Sequence, residues 1–91
     1  MTKAELIAKM SEKAGVSKIQ AERTLDAFVD ALTEALSKGE RIAIPKFGVF
    51  NVRERAARTG RNPRTGERIQ IPAKKIVKFS TSKFLEDAIN D

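Results

Sequence analysis

The basic side chains of this sequence are concentrated in one segment, residues 53–75. Eight arginines and lysines stand there against two glutamates, so the segment carries the whole net charge of +6, and charges balance in the rest of the 91-residue chain. Guanidinium and ammonium groups at this density bind phosphates and other anions. We predict a polyanionic partner for the segment; the alternative is a cationic surface loop without one. The eight residues are Arg53, Arg55, Arg58, Arg61, Arg64, Arg68, Lys74 and Lys75.

Few residues are available for catalysis. The sequence has no His and no Cys, the residues that most often act as general bases, metal ligands and thiol nucleophiles. Asp26 and Asp30 lie four residues apart among Lys and Arg, as on an ordinary solvated helix face. Residues 60–67 lack the Gly-Lys-Ser/Thr ending of a phosphate-binding loop. We predict no enzyme activity, catalytic residue, metal site, cofactor or small-molecule substrate.

Two features favour duplex DNA over single strands. Arginine side chains suit phosphates and enter narrow minor grooves, where the negative potential is enhanced. All five aromatic residues are Phe and none lies in residues 53–75, whereas single-strand binders stack bases on exposed aromatic rings. Pro63 has a rigid apolar ring and no N–H, so it fits either a wedge between base pairs or a plain turn.

The first 39 residues predict two amphipathic helices. Each begins with capping-box spacing, at Thr2 and Ser17, and each ends at a glycine, Gly15 and Gly39. Helices joined by so short a link form a helical hairpin, although a helix-turn-helix fits the same pattern. Apolar residues recur at helical spacing: Leu6, Ile7, Met10 and Ala14 in the first helix, and Leu25, Phe28, Val29, Leu32 and Leu36 in the second.

Strand periodicity follows from residue 42. Ile42 and Ile44 form a strand that Pro45 interrupts, and alternation then assigns Phe47 and Phe50 to opposite faces of the next strand. We therefore expect that strand to be covered on both faces. A later strand contains Ile76, Val77 and Phe79. A helix at about residues 82–90 follows, capped by Ser80, Thr81 or Ser82, with a predicted buried stripe of Phe84, Leu85, Ala88 and Ile89.

Between these strands the sequence predicts a β-ribbon arm. Residues 53–68 contain no Val, Ile, Leu, Met or Phe, so they cannot pack into a core. Residues 62–66 have turn chemistry, with Pro63 suited to the second turn position and Gly66 available for positive φ. A ribbon of about ten residues per strand reaches roughly 30 Å. Because Arg58 is out of phase with the arginines before it, a common face requires a bulge or bend at Ala56–Ala57.

The chain resembles the HU/IHF family of histone-like DNA-bending proteins, and is closest to HU. The resemblance rests on Phe-Gly-Val-Phe at 47–50, Thr-Gly-Arg-Asn-Pro-Arg-Thr-Gly at 59–66 and Ile-Pro-Ala at 71–73, with Arg53, Arg55, Arg58 and Ile69 between them. It implies an α+β fold: a helical hairpin base, a three-stranded antiparallel sheet with a long β-ribbon arm, and a short C-terminal helix. It also implies an intertwined dimer whose two arms embrace the minor groove, each with its proline wedged at a kink.

The resemblance also assigns regions and residues. Residues 1–91 would be a single HU-like DNA-binding domain, with a helical dimerisation base at 1–39 and the sheet at 40–91, including a DNA-binding arm at about 53–75. The implied dimer core is Phe47, Phe50, Phe79, Leu32 and Leu36. The implied DNA contacts are Arg53, Arg55, Arg58, Arg61, Asn62, Pro63, Arg64, Arg68, Lys74 and Lys75 on the arm, and Lys3, Lys46 and Lys83 on the body.

Several body positions depart from the usual family pattern. Pro45–Lys46 stands where a glycine commonly precedes the Phe-Gly pair, and Ile-Val-Lys at 76–78 replaces a stretch that commonly has Val-Pro. Ser82 stands where the last helix usually starts with Gly-Lys, and Glu86 occupies a position that is often basic. These departures leave the arm intact and affect only the predicted contribution of the body to DNA contact.

The sequence thus predicts a homodimeric architectural protein that binds, bends and compacts duplex DNA with little sequence specificity. We expect it in the cytoplasm at the nucleoid, because no signal peptide or membrane-spanning run is present. The first alternative is a site-specific IHF-like DNA-bending protein working as a heterodimer. A helix-turn-helix repressor is disfavoured because acidic residues balance the basic ones on its second helix. A module that binds RNA or an acidic protein is the remaining alternative.

Overall fold

The computed structural model describes residues 1–90; Asp91, the last residue of the predicted domain, lies outside this range. The described chain contains three helices and five strands and divides into two compact units, Met1–Ala35 and a second unit that begins at Leu36. The elements are α1 (Lys3–Ala14), α2 (Lys18–Ser37), β1 (Ile42–Ile44), β2 (Gly48–Arg55), β3 (Arg58–Arg61), β4 (Arg68–Ile71), β5 (Lys74–Thr81) and α3 (Lys83–Ile89). None of the helices in residues 1–90 is long and apolar enough to cross a membrane.

The helix ends of the first unit follow the predicted capping signals. The Thr2 hydroxyl accepts a hydrogen bond from the Glu5 backbone N–H at 3.2 Å, and Gly15 ends α1 in the left-handed conformation at φ 67°. At the start of α2 the Ser17 N–H donates to the Gln20 side chain and the Gln20 N–H donates to the Ser17 hydroxyl. These bonds satisfy helix N–H groups that have no intrahelical partner. The capping prediction is confirmed at both helices.

The first unit covers few of its apolar side chains. Ile7 of α1 and Ala21 of α2 are buried, and both lie in this unit. Phe28 and Val29, in the predicted apolar stripe of α2, are 43% and 49% exposed. An exposed aromatic and an exposed β-branched residue on one amphipathic helix leave apolar area in contact with solvent. The unit therefore has a stripe that its own residues do not cover.

The second unit contains a three-stranded antiparallel sheet in the order β1-β2-β5. Phe50 pairs with Phe79 and with Ile42, so these three residues share one face of the sheet. Val52 and Val77 pair on the same face. The sheet therefore has one apolar face, built from residues two apart on each strand.

Phe47 does not lie on the face predicted for it. It precedes β2, in a turn closed by a hydrogen bond from the Phe47 N–H to the Ile44 carbonyl oxygen at 3.1 Å. Lys46, in the same turn, has a φ of 69°, which is uncommon for a residue other than glycine. The turn breaks the alternation, and the Phe47 ring lies 6.2 Å from that of Phe50. The prediction of opposite faces was wrong because strand periodicity does not extend through the turn.

The three phenylalanines form one cluster, here called the Phe cluster: Phe47, Phe50 and Phe79. The Phe79 ring centroid lies 4.6 Å from that of Phe50 and 5.0 Å from that of Phe47. Tilted ring pairs at such distances stabilise a fold by more than the burial of their apolar area alone. Gly48 passes beneath the cluster: a Cβ there would lie 2.7 Å from the Phe79 ring and would also collide with the Ser80 carbonyl oxygen. The close packing of β2 against β5 at this position therefore requires a residue without a side chain.

Gly48→Ala is expected to lower the free energy of unfolding by about 2 kcal/mol or more, because the new methyl group must displace a backbone carbonyl as well as a ring. Urea unfolding followed by circular dichroism measures the change. Gly60→Ala is the matched control: the tightest contact of its Cβ would be with the flexible end of Ile71, at 3.2 Å, and its other contacts, at 3.9 Å, are ordinary. Equal losses in the two variants would contradict the steric explanation.

The C-terminal helix is capped as predicted but not buried as predicted. Ser82, one of the three candidate caps, accepts a hydrogen bond from the Leu85 N–H at 3.1 Å. Within the predicted buried stripe only Leu85 is partly covered; Phe84 is 60% exposed and Ile89 is 73% exposed. The prediction of a buried stripe was wrong for the single chain. Helical periodicity identifies an apolar face, but it does not identify what covers that face.

The arm is a second, two-stranded sheet formed by β3 and β4. Ala56–Ala57 on the outgoing side and Pro72–Ala73 on the returning side separate it from the main sheet. The last pair of the main sheet is Arg55 with Lys74, and the first pair beyond the break is Arg58 with Ile71. Equal numbers of residues are therefore skipped on the two strands. The predicted irregularity at Ala56–Ala57 is an interruption that keeps the register, not a bulge with an extra residue on one side.

Candidate nucleic-acid interface

The face of the main sheet opposite the Phe cluster carries basic residues. Arg55 pairs with Lys74, and Arg53 pairs with Ile76, so both arginines and Lys74 share this face. Lys78 pairs with Asn51 on the same face and was not among the predicted contacts. Lys78 lies two residues after Ile76 and four after Lys74 on the same strand. Strand periodicity could therefore have predicted that it shares their face. The sheet thus separates an apolar face from a basic one.

Lys75 lies apart from this basic face. It pairs with Glu54, one residue out of phase with Arg53 and Arg55, on the face that also carries Phe50 and Phe79. Glu54 and Lys75 have opposite charges, but within residues 1–90 they form no ion pair. The structure therefore brings Lys74 together with the arginines of β2, but not Lys75.

The arm ribbon also has two different faces. Gly60 pairs with Ile69, and Arg58 pairs with Ile71, on one face. A Cβ on Gly60 would lie 3.2 Å from the Cδ1 atom of Ile71, so the glycine lies under this side chain. The opposite face carries the pairs Thr59 with Gln70 and Arg61 with Arg68. Arg58 and Arg61 therefore lie on different faces, and the isoleucines, absent from the predicted contacts, form an apolar strip on the ribbon.

The tip of the arm is a closed turn. The Asn62 N–H donates to the Glu67 carbonyl oxygen, and the Gly66 N–H donates to the Asn62 carbonyl oxygen, both at 2.8 Å. The Asn62 side chain accepts from the Arg64 N–H at 2.9 Å, and Gly66 has a φ of 74°. Pro63 is exposed at the second position of this turn. The turn predicted from residues 62–66 is confirmed, and it presents the proline ring to solvent.

The three predicted contacts on the body have different surroundings. Lys3 donates to the Asp26 carboxylate at 2.9 Å, and this hydrogen bond and charge raise the pKa of Lys3 above its usual value. The Lys46 ammonium lies 5.3 Å from the centroid of the Phe84 ring, within the range of a cation–π contact. Lys83 is exposed at the start of α3. Within residues 1–90, Lys3 is therefore the one of the three whose charge an acidic partner offsets.

Asp26→Asn is expected to strengthen duplex DNA binding, because Lys3 would lose its carboxylate partner and become available to a phosphate. The slope of log affinity against log salt should steepen by about one unit for each Lys3 engaged. A salt series of binding measurements gives both quantities. Asp30→Asn, which removes the same charge without an ion pair to Lys3, is the control; equal effects would assign the change to net charge alone.

The described residues contain no acidic or metal-binding cluster beside the basic surfaces. Among residues 1–90, no group of three or more His, Cys, Asp or Glu side chains could hold a metal ion. Apart from Glu67 and Pro63 at the arm tip, the exposed side chains of the basic sheet face and the arm are cations, amides, hydroxyls and Ile69. Such a surface is suited to binding an extended anion.

A helical hairpin followed by a sheet whose long strands continue into a basic ribbon defines a class of β-arm proteins. Residues 1–90 match the sequence model of the family described as bacterial DNA-binding protein. The chain belongs to this family. A prophage-derived DNA-binding protein HU 2 of Bacillus subtilis is 54% identical over 89 residues, 98% of this chain and 97% of that protein.

Other HU proteins are similar over the same length. DNA-binding protein HU of Geobacillus stearothermophilus is 51% identical over 89 residues, which cover 98% of this chain and 99% of the relative. Among solved structures, a cocrystal of Anabaena HU with DNA matches with a TM-score of 0.87 and 42% identity, covering 98% of this chain and 97% of that one. The resemblance to HU inferred from the sequence is confirmed, and so is the α+β fold with an extended arm.

Proposed function

We propose that this chain is a histone-like architectural protein that binds duplex DNA with little sequence specificity and bends it. The observation that carries the proposal is the arrangement of cations on the second unit. Arg53, Arg55 and Lys74 share one sheet face, and the register continues into an arm with further arginines on both faces. An HU protein similar over nearly its whole length has been crystallised with DNA. The role is structural rather than catalytic.

The minor groove is the proposed site of the arm. The ribbon is two strands wide, and its apolar strip of Ile69 and Ile71 suits the sugar walls of a groove, while the arginines reach phosphates. Pro63 is exposed at the tip and donates no hydrogen bond, so its ring enters a base step without leaving a polar group unsatisfied. Insertion unstacks the step and kinks the duplex, and the bent DNA then contacts more protein.

A homodimer is proposed on the basis of uncovered apolar surface. Phe79 and Phe47 of the Phe cluster are 39% and 40% exposed, and Phe28 of α2 is also exposed. The proposed core further includes Leu32 and Leu36, which are half-buried in the single chain. A domain of this size buries only about 60–65% of its unfolded surface. A second copy covering these faces would complete the core and supply a second arm.

Affinity in this proposal comes mainly from backbone neutralisation. Each phosphate paired with Arg or Lys releases condensed counterions, so binding weakens steeply with salt. Sequence preference follows from DNA deformability, because flexible pyrimidine–purine steps kink at lower cost. We further propose that the protein associates with the bacterial nucleoid, where it compacts DNA by repeated bending.

Fluorescence anisotropy across a salt series tests the proposal directly. The probes are a short DNA duplex, a second duplex of scrambled sequence and an RNA duplex of matched length. Similar affinity for both DNAs, steep salt dependence and weaker RNA binding are expected, because A-form RNA presents a different minor groove. A strong preference for one DNA sequence would replace the proposal with a site-specific DNA-bending protein. No duplex DNA binding would overturn it.

A further inference from the structure

Two arginines face each other across the arm. Arg61 pairs directly with Arg68 in the β3–β4 register. The next pair toward the tip, Asn62 with Glu67, is joined by a backbone hydrogen bond of 2.8 Å. Because hydrogen-bonded and non-hydrogen-bonded pairs alternate along antiparallel strands, Arg61 and Arg68 form a non-hydrogen-bonded pair. Such pairs have the shorter Cα separation, about 4.5 Å, so two positive side chains start from adjacent positions on one face.

No ion pair within residues 1–90 offsets the charge of these two arginines. The neighbouring pair on the same face is Thr59 with Gln70, and both residues are neutral. Glu67, the chain neighbour of Arg68, uses its backbone N–H to bond the Thr65 hydroxyl at 3.3 Å and is also outside any ion pair. Like charges directly opposite each other destabilise a β-ribbon, so the free arm carries an unfavourable interaction that an anion would remove.

We propose that Arg61 and Arg68 hold one backbone phosphate of DNA between them, which deepens the DNA-binding function proposed above and rests on it. A phosphodiester has two non-bridging oxygens, and each guanidinium presents planar N–H donors that match one of them. The hydroxyl of Thr59, two residues before Arg61 on the same face, is a further donor. The two arginines are thus one phosphate site rather than two separate contacts.

A shared phosphate makes the two arginines energetically coupled. In the free arm they repel each other, and in the complex the phosphate lies between them, so binding gains both contacts and the loss of the repulsion. Replacing either arginine removes its own contact and the coupling together. Replacing both arginines removes the two contacts and the coupling between them, but the coupling is then counted once, whereas it is lost in each single variant. The combined variant must therefore lose less affinity than the two single variants predict by multiplication.

A double-mutant cycle on the full chain with Arg61→Gln, Arg68→Gln and both substitutions tests this. The probe is a short DNA duplex, and affinity is measured over a salt series. We expect the affinity loss of the double variant to be smaller than the product of the single losses by about threefold or more. The slope of log affinity against log salt depends on the number of phosphates that the protein neutralises. Each single variant still neutralises the shared phosphate and should keep nearly the parent slope. The double variant should have a slope that is shallower by about 0.9 for each arm bound to DNA.

Arg64→Gln is the matched control. Arg64 lies in the same arm, but in the turn rather than in a strand pair. The single substitution Arg64→Gln should therefore make the salt slope shallower by the full amount for one phosphate contact. Amide exchange of the free protein gives a readout that needs no DNA: Arg68→Gln should slow exchange of the tip amides Asn62 and Gly66 by about twofold or more as the repulsion is removed.

The outcomes separate this inference from the function on which it rests. Strictly multiplicative losses, with each single variant lowering the slope as Arg64→Gln does, would overturn the shared site and leave DNA binding intact. Unchanged or faster amide exchange in Arg68→Gln would contradict the repulsion in the free arm. Failure of the unsubstituted protein to bind duplex DNA would overturn the proposed function itself.

Discussion

Phe79→Ala is expected to unfold the protein at micromolar concentration. Phe79 contacts both other rings of the Phe cluster and covers Gly48, so its truncation empties the centre of the apolar sheet face. Loss of a packed phenylalanine costs about 3–5 kcal/mol, a large fraction of the roughly 5–15 kcal/mol that stabilises a domain. Phe79 is 39% exposed in the single chain, so a loss of this size requires the second copy of the proposed dimer to cover the ring. Thermal unfolding at two protein concentrations measures the effect.

The concentration dependence is what links this variant to the dimer. For a protein that folds only as a dimer, the unfolding midpoint of the unsubstituted chain rises with concentration. Phe79→Leu, which retains most of the apolar volume, should lose less than half as much stability as Phe79→Ala. A concentration-independent midpoint together with a loss below about 1 kcal/mol for Phe79→Ala would make the Phe cluster a surface patch and would contradict the dimer core.

Pro63→Ala is expected to reduce DNA bending much more than DNA binding. The turn is held by backbone hydrogen bonds between Asn62, Gly66 and Glu67, none of which involves the proline. An alanine at the same position should therefore preserve the turn and remove only the rigid ring. Loss of a wedge that offsets unstacking of a few kcal/mol should slow ring closure of a short DNA fragment by about tenfold or more. The phosphate contacts remain, so affinity for linear duplex should fall by less than about threefold.

The other proline of the arm provides the control for this experiment. Pro72 lies at the interruption between β4 and β5, away from the tip. Pro72→Ala removes a ring of the same size and should leave ring closure near the parent rate. A Pro63→Ala protein that closes rings as fast as the parent would exclude the wedge and leave Pro63 as a turn residue only. Equal slowing in both variants would indicate a general change in the arm instead.

Features set by short-range chemistry could be predicted from the sequence. The caps at Thr2 and Ser17 and the turn around Pro63 each depend on residues within a few positions of one another. Hydroxyl-to-backbone bonds, fixed proline φ and positive φ at Gly66 act locally, so residue type and spacing are sufficient evidence. The arm was likewise evident, because a long segment without large apolar residues cannot pack into a core.

Features that depend on distant residues were not predictable in the same way. Phe47 was assigned to the wrong face because the turn before it does not show in the residue pattern. Lys46 in this turn has a left-handed backbone although it is not a glycine. Periodicity therefore cannot distinguish the turn from a continuing strand. The pairing of Arg61 with Arg68 depends on the register of β3 against β4. That register depends on how many residues each strand skips at the interruption, and the sequence does not specify this number. The exposure of Phe84 depends on whether another surface covers α3.

The matched interruption at Ala56–Ala57 and Pro72–Ala73 makes the arm a replaceable module. Both strands skip the same number of residues at the break. The pairing register of the main sheet is therefore the same as that of the arm. A residue inserted into one strand alone would put every later pair out of step and separate Arg61 from Arg68. Residues added equally to both strands would lengthen the arm and keep every pair. Arms of different reach can therefore be exchanged on one body, provided that their two strands change length together.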